Sequence, residues 1–335
     1  MKTTKQALEE FIKAKVNLDP EETKKARNSR DWLIEQINNL PSKFDDFPFL
    51  YKEKHRKFGS FARNTKIRPL DDIDLIITFS ALDNEDNRAT YSCNSYSGTC
   101  YIFVPEEHRT LKRFCDENGY LNSRKILEKL KSYLSEIPQY SQAGIHRRQE
   151  AVTLKLSSYP WNFDIVPAFF TVKEENGRNY YLIPDGNGNW KKTDPRIDQE
   201  RVTNINQKQD GKALEFIRLL KYWKRKNFNF IGSYLFENIV LNFLEEKNLT
   251  DNKLLNLCMF FDYLQSAIYN PVYDPKGIQG NINNLDFKTK YKVSEKAKTD
   301  KLKIYEAYEF EKEQKHKKAI SNLKEVFGTE FPNYE

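Results

Sequence analysis

Residues 58–79 read FGSFARNTKIRPLDDIDLIITF. A Gly-Ser pair stands at 59–60, and Asp72-Ile73-Asp74 opens an apolar, β-branched run twelve positions after the serine. The composition of 73–79 predicts a buried strand. Successive side chains on a strand point to opposite faces, so Asp72 and Asp74 point the same way while Ile73 points into the core. Two carboxylates on one face repel at close range unless a cation lies between them. An isolated Asp-x-Asp can also be a polar turn, with Asp71 or Asp72 capping the entry to the strand. A third acid shifts the balance. In NFDIVPAFF, Asp164 is flanked by apolar residues, where a lone ionised carboxylate is expensive. Three carboxylates on adjacent strands form a hard, all-oxygen site suited to Mg²⁺ or Mn²⁺. Such a site, holding two ions, supports phosphoryl or nucleotidyl transfer. Gly59 lets the backbone approach a phosphate, and Ser60 with the N–H groups of a short helix over 60–64 can hold it.

Outward from this stretch, the spacing predicts helices over 4–17 and 20–39, the second opened by Pro20, Glu21 and Glu22. A short strand over 53–58 leads into the Gly-Ser pair. The polar residues 83–100 read as a surface loop, followed by helices at about 105–117 and 122–137. Strand-like runs occupy 142–147, 151–157 and 161–166, and YYLIPDGNGNW reads as a hairpin. Residues 186–212 are polar and without a clear period, so the main boundary is expected there. Helices follow over 212–226, 232–247 and 253–269, then a loop, NPVYDPKGIQGNINN. One long amphipathic helix is expected over 290–326, ending at Gly328. The fold class is therefore α+β in front and all-α behind. The expected domains are 1–195, carrying the carboxylates, and 196–335, a helical lobe.

The bulk composition narrows the function classes. The 335 residues are 39% hydrophobic and 31% charged, enough for a real core. No apolar run approaches the length of about 20 residues needed to span a membrane, and MKTTKQALEEFIKAKV lacks the apolar centre of a signal peptide. A cytoplasmic protein is expected. Cys93, Cys100, Cys115 and Cys258 fit no zinc pattern with the four histidines, and are expected as buried or incidental thiols. The net charge of +7 admits polyanionic ligands. Much of it lies in KTKYKVSEKAKTDKLK and KEQKHKK, which read as a solvated helix face.

GSFARNTKIRPLDDIDLII resembles the catalytic signature of polymerase-β-like nucleotidyltransferases, and is most similar to the bacterial cGAS/DncV-like enzymes (CD-NTases, including the SMODS synthases). The resemblance covers nearly the whole chain. AVTLKLSSYPWNFDIVPAF resembles the family's third-Asp strand, IRLLKYWKRK and GSYLFE resemble the first helices of its second lobe, and KAISNLKEVFGTEFP resembles its closing helix. The resemblance implies a mixed-sheet nucleotidyltransferase core with a helical lobe, bilobal like cGAS and oligoadenylate synthetase, with nucleotides bound between the lobes. It implies that Asp72, Asp74 and Asp164 ligate two Mg²⁺ or Mn²⁺ ions and that Asp164 helps deprotonate the attacking hydroxyl. Gly59, Ser60, Lys221 and Ser233 would hold the triphosphate, and Tyr234 would stack on a base. Trp223, spaced with Leu219 and Leu220, reads as core rather than as a base platform.

The implied activity is synthesis of a cyclic oligonucleotide second messenger from ATP and/or GTP, a purine cyclic dinucleotide or a trinucleotide. A separate effector protein would sense it in CBASS-type antiphage defence. The animal sensor's zinc-binding insertion has no counterpart here, so a nucleic-acid activator is not expected, and neither is a membrane partner. A monomer suffices. Two rivals share the signature. One is a linear-product or protein-modifying nucleotidyltransferase. The other is a non-catalytic nucleotide- or RNA-binding module, against which the retention of all three aspartates argues.

Overall fold

The computed structural model describes residues 2–83 and 87–335. Helices α1 (Thr4–Phe11) and α2 (Pro20–Asn38) open the chain, α1 extended by one wider turn to Val16. Strand β1 (Arg56–Phe58), a single helical turn α3 (Gly59–Ala62) and strand β2 (Asp72–Phe79) follow. Next come β3 (Thr90–Cys93), β4 (Thr99–Phe103), α4 (Ser123–Ser135), β5 (Gly144–Arg148), β6 (Ala151–Lys155), β7 (Asn162–Phe170), β8 (Tyr181–Pro184) and β9 (Trp190–Thr193). The rest is helical: α5 (Pro195–Lys208), α6 (Ala213–Asn227), α7 (Ser233–Glu246), α8 (Lys253–Ala267), α9 (Phe287–Lys312) and α10 (His316–Phe327). No helix among the described residues is long and apolar enough to cross a membrane.

The chain divides into two compact units. The α+β unit comprises Pro20–Arg63 and Leu70–Gln199. The helical unit comprises the N-terminal segment to Asp19, Asn64–Pro69 and Glu200–Glu335. In the α+β unit, nine strands of the described residues form one mixed sheet: seven in the order β1-β2-β7-β8-β9-β4-β3, with β6 also on β7 and β5 on β6. β7 is its hub. One edge pairs in parallel with β2 along its length. The other edge pairs with β6 over Asn162–Ile165 and with β8 over Phe169–Phe170. Beyond Asp164 the strand is covered on both faces: Ile165 and Phe169 on one, with Phe163 before them, and Val166 and Ala168 on the other are all buried. The helical unit packs around Phe11, Trp223, Phe236, Phe260 and Phe261. Trp223 is core, as expected, and its indole N–H donates to Asp300 at 2.7 Å.

Five readings of the sequence are corrected. Residues 83–100 are not simply a loop. Thr90–Cys93 and Thr99–Phe103 pair as a hairpin, with Gly98 at φ +69° in its turn; residues 84–86 lie outside the described residues. Cys93 and Cys100 face each other across that hairpin and form a disulfide, while Cys115 and Cys258 are buried thiols that burial pushes up to about 11. The stretch 105–117 holds only a single tight turn at Lys112–Phe114. The chain doubles back there, and Leu121 N–H donates to Ile102 and Asn122 N–H to Phe114, so strand-like pairing replaces the helix. The polar stretch 186–212 contains α5, which starts on Pro195 with the Asp194 carboxylate accepting from Arg196 N–H. Finally, the last long helix is two. Gln314 adopts φ +59°, and α10 folds back to pack on α9 and α1. Its end at Gly328, φ +88°, is as expected. The lysine-rich face of α9 points outward, its buried positions being Val293, Ala297, Asp300, Ile304 and Ala307.

A half-buried histidine ties the lead-in of β1 to the sheet. His55 Nδ1 accepts from Thr78 N–H at 3.0 Å, so Nε2 carries the proton and donates to Asn38 Oδ1 at 3.0 Å. Burial, with the nearby Lys52 charge, lowers its pKa from 6.5 to about 4. The unfolded chain takes up this proton first, so the stabilisation is present above pH 6.5 and is lost as pH falls towards 4. The slope is about 1.4 kcal/mol per pH unit at most. Unfolding free energies measured in denaturant between pH 7 and 4.5 should fall more steeply for the wild type than for His55→Gln. Equal slopes would contradict this assignment.

Candidate active site

The parallel pairing of β2 with β7 sets Asp74 opposite Asp164 and Asp72 opposite Asn162. Lateral neighbours on a sheet share a face, and residues two apart on a strand share a face. All three aspartates therefore converge. One carboxylate oxygen from each lies within 4.8 Å of the others, and all three are half-buried. On the other edge of β7, Thr153 stands opposite Asp164, and its hydroxyl donates to Asp164 Oδ1 at 2.6 Å. That bond fixes the rotation of the third carboxylate.

The Gly-Ser turn is placed by the same strand from its other side. β1 runs antiparallel to β2 with Phe58 opposite Asp74, so the chain leaves β1 directly beside that carboxylate. Gly59 does so at φ +72°. A Cβ built there would overlap Asp74 Oδ2 and lie 2.5 Å from its Cγ. Only glycine fits, for both backbone and packing reasons. Ser60 follows, half-buried, in α3, and the buried Phe61 anchors that turn.

In the helical unit, Ser233 and Tyr234 open α7 after Gly232. Lys221 is 5% exposed and bonds Glu237 at 2.7 Å; Glu237 also accepts from Thr65 Oγ1 at 3.0 Å. A buried ammonium of this kind is held by its counter-charge. Three further residues escaped the sequence reading. Lys224, one turn after Lys221 and 4% exposed, donates to Ile231 C=O at 2.8 Å and to Ser233 Oγ at 3.2 Å. Among the described residues it has no carboxylate partner. Burial, with the charges of Lys221 and Arg225, lowers its pKa. Lys276 sits 4.2 Å from the centroid of the Tyr234 ring and donates to its hydroxyl, which in turn donates to Asp274 Oδ1 at 3.0 Å. Lys276 and Asp274 also pair with each other at 2.8 Å. The ring is thus fixed in angle, with a cation contributing a cation–π contact. The only sequence signal for this was Asp-Pro-Lys-Gly inside a turn-rich loop.

No family model matches the chain. A curated Bacillus cereus protein named "Probable cyclic nucleotide synthase" is 49% identical over 336 aligned residues, covering 100% of this chain and 99% of its own length. The chain belongs to the bacterial CD-NTase family of cyclic nucleotide synthases. It is a nucleotidyltransferase. A "Cyclic AMP-AMP-AMP synthase" of Acinetobacter sp. is 24% identical over 62% of this chain and 60% of its own. Two solved structures of an Escherichia coli CdnC share the fold, each with TM-score 0.70 and 18% identity. The one in complex with HORMA-deltaN matches 99% of this chain and 98% of its own; the one with ATP matches 99% of both. The α+β core with its C-terminal helical unit is the architecture expected from the sequence.

The tightest constraint in the enzyme's carboxylate site is the Gly59 approach. Gly59→Ala should displace the Asp74 carboxylate by about 1 Å, enough to reduce turnover about 100-fold. The positive φ adds a stability loss of roughly 1–2 kcal/mol. Turnover and thermal unfolding measured together would check this; an active Gly59→Ala enzyme would contradict it.

Proposed function

We propose that the enzyme joins nucleoside triphosphates into a cyclic oligonucleotide second messenger, with a purine cyclic dinucleotide as the first reading of the product. The observation that carries the chemistry is the convergence of Asp72, Asp74 and Asp164 on one sheet face. Three carboxylates so close fit hard divalent cations, Mg²⁺ or Mn²⁺, and these residues would hold them. Bound there, two such ions would acidify the attacking hydroxyl and offset charge on the departing pyrophosphate.

The chain's own residues supply the rest. Gly59, whose missing side chain leaves room for the Asp74 carboxylate, brings the backbone to the donor's phosphates, and Ser60 offers a hydroxyl to them. In the helical unit, Ser233 with Lys224 on its hydroxyl contacts phosphate. Lys221, its ammonium held by Glu237 at 2.7 Å, contacts the triphosphate with them. Tyr234, locked by Asp274 and Lys276, stacks on a base, a contact worth about 1–3 kcal/mol. A sugar hydroxyl of one nucleotide attacks the α-phosphorus of another. The new O–P bond forms, the bond to the bridging oxygen breaks, pyrophosphate leaves, and Asp164, oriented by Thr153, takes the hydroxyl proton. The linear product then rebinds, and a second transfer closes the ring.

A three-membered ring is the second reading of ring size, favoured by the likeness to the cyclic AMP-AMP-AMP synthase. We assign the messenger to a separate effector in CBASS-type antiphage signalling, which rests on the family alone. The test is to incubate the protein with all four labelled nucleoside triphosphates and Mg²⁺ or Mn²⁺, treat with phosphatase, and separate the products. A phosphatase-resistant product requiring ATP or GTP is expected. Asp72→Asn and Asp164→Asn should each lower its rate at least about 100-fold. A product that loses a terminal phosphate to phosphatase and changes its mobility would instead favour a linear-product enzyme.

A further inference from the structure

A second cavity lies in the α+β unit, away from the carboxylates. It encloses about 640 Å³, within the range of small-molecule sites. It sits where β2 and β7 end. Phe79 is seven residues beyond Asp72 and Phe170 six beyond Asp164. At about 3.3 Å per residue, the two sites are on the order of 20 Å apart along the same strand pair. Phe79, Phe169, Ile102 and Leu182 are buried and give it an apolar floor. Phe170 and the exposed Val172 continue that surface to the rim.

The charge of the lining is one-sided. Among the described residues no carboxylate lines the cavity, whereas Lys54 and Arg88 do. Lys54 is held in place through its backbone carbonyl, which accepts from Thr78 Oγ1 at 2.8 Å and Tyr181 OH at 3.0 Å. Its ammonium rests on aromatic faces, 4.7 Å from the Phe170 centroid and 5.7 Å from that of Tyr51, with no acid partner among the described residues. Arg88 is bridged to Leu82 through its backbone, and its guanidinium makes no ion pair among the described residues. Elsewhere in this unit basic side chains commonly have acids: Arg109 with Asp83, Lys129 with Asp46, Arg147 with Glu128, Lys192 with Glu174. Two cations with no acid partner among the described residues, beside an aromatic pocket, make an environment for a flat apolar body carrying a negative group.

We propose that this cavity is a second ligand site of the enzyme, and that its ligand class is a small aromatic anion. The apolar floor takes the ring system, and Lys54 and Arg88 take the anionic group. The site is separate from the nucleotidyl-transfer chemistry, so its occupancy does not depend on the aspartates.

Two fluorescent probes with the same aromatic body test this on the full chain. 8-Anilinonaphthalene-1-sulfonate carries the negative group, and N-phenyl-1-naphthylamine lacks it. The sulfonate should bind the wild type saturably at one site per chain. Arg88→Gln should weaken it severalfold, and Lys54→Gln with Arg88→Gln at least tenfold. The neutral probe should change less than threefold in the same variants, and Asp72→Asn should leave both unchanged. Thermal unfolding confirms that each variant is folded; Arg88→Gln alone breaks no ion pair among the described residues and keeps the test available if the double variant is not. No saturable sulfonate binding to the wild type would overturn the proposal. So would equal binding by the folded Arg88→Gln and double variants, or a parallel loss of both probes.

Discussion

The enzyme's site depends on a single register: β2 beside β7, with Asp74 level with Asp164. Shifting that pairing by one residue would send one strand's carboxylates to the opposite face. The register is secured by the apolar residues between the acids. Ile73, Leu75, Phe163 and Ile165 are 0–1% exposed, so slippage would expose a row of buried side chains. The hydrophobic effect thus does work that electrostatics opposes. Burying the intervening residues holds three like charges together, and that enforced proximity gives the face its affinity for a divalent cation.

The neighbouring elements read as consequences. With Asp74 fixed, the exit of β1 must be glycine, because any side chain at 59 would occupy the carboxylate's volume. With Asp164 fixed, the threonine opposite it on β6 can set its rotation. His55, neutral and bonded to both Thr78 and Asn38, holds the segment that delivers β1 to this edge. Within the helical unit, Tyr234 is constrained comparably, by an acid and a cation that also pair with each other. Small closed networks of this kind offset the desolvation cost of the polar groups they bury.

Much of this was legible in the sequence. The spacing Gly59-Ser60, Asp72, Asp74 and the isolated Asp164 marked the site because each position carries a steric or electrostatic penalty that only function offsets. Strands β2 and β7, the hairpin β8–β9 and helices α6 to α8 followed from periodicity. What was illegible depended on long-range contacts. The segment 105–117 has helical spacing, but backbone pairing between 102–104 and 119–121 overrides it. The break between α9 and α10 has no glycine or proline to announce it; it arises because α10 packs back on α9 and α1. The Cys93–Cys100 bond needed the register of a hairpin whose strands were hidden in polar composition. Lys224, Asp274 and Lys276 looked like ordinary surface-helix and loop residues, and only their burial distinguishes them.

The central claim is that the β2–β7 register builds a divalent-cation site from three aspartates. Electron paramagnetic resonance of Mn²⁺ measures this without reference to turnover, by titrating the ion into the wild type and into Asp72→Asn, Asp74→Asn and Asp164→Asn. Saturable binding by the wild type, weakened at least tenfold by each substitution in a folded protein, is the predicted result. Mn²⁺ binding that is absent from the wild type, or unchanged in all three variants, would contradict the account.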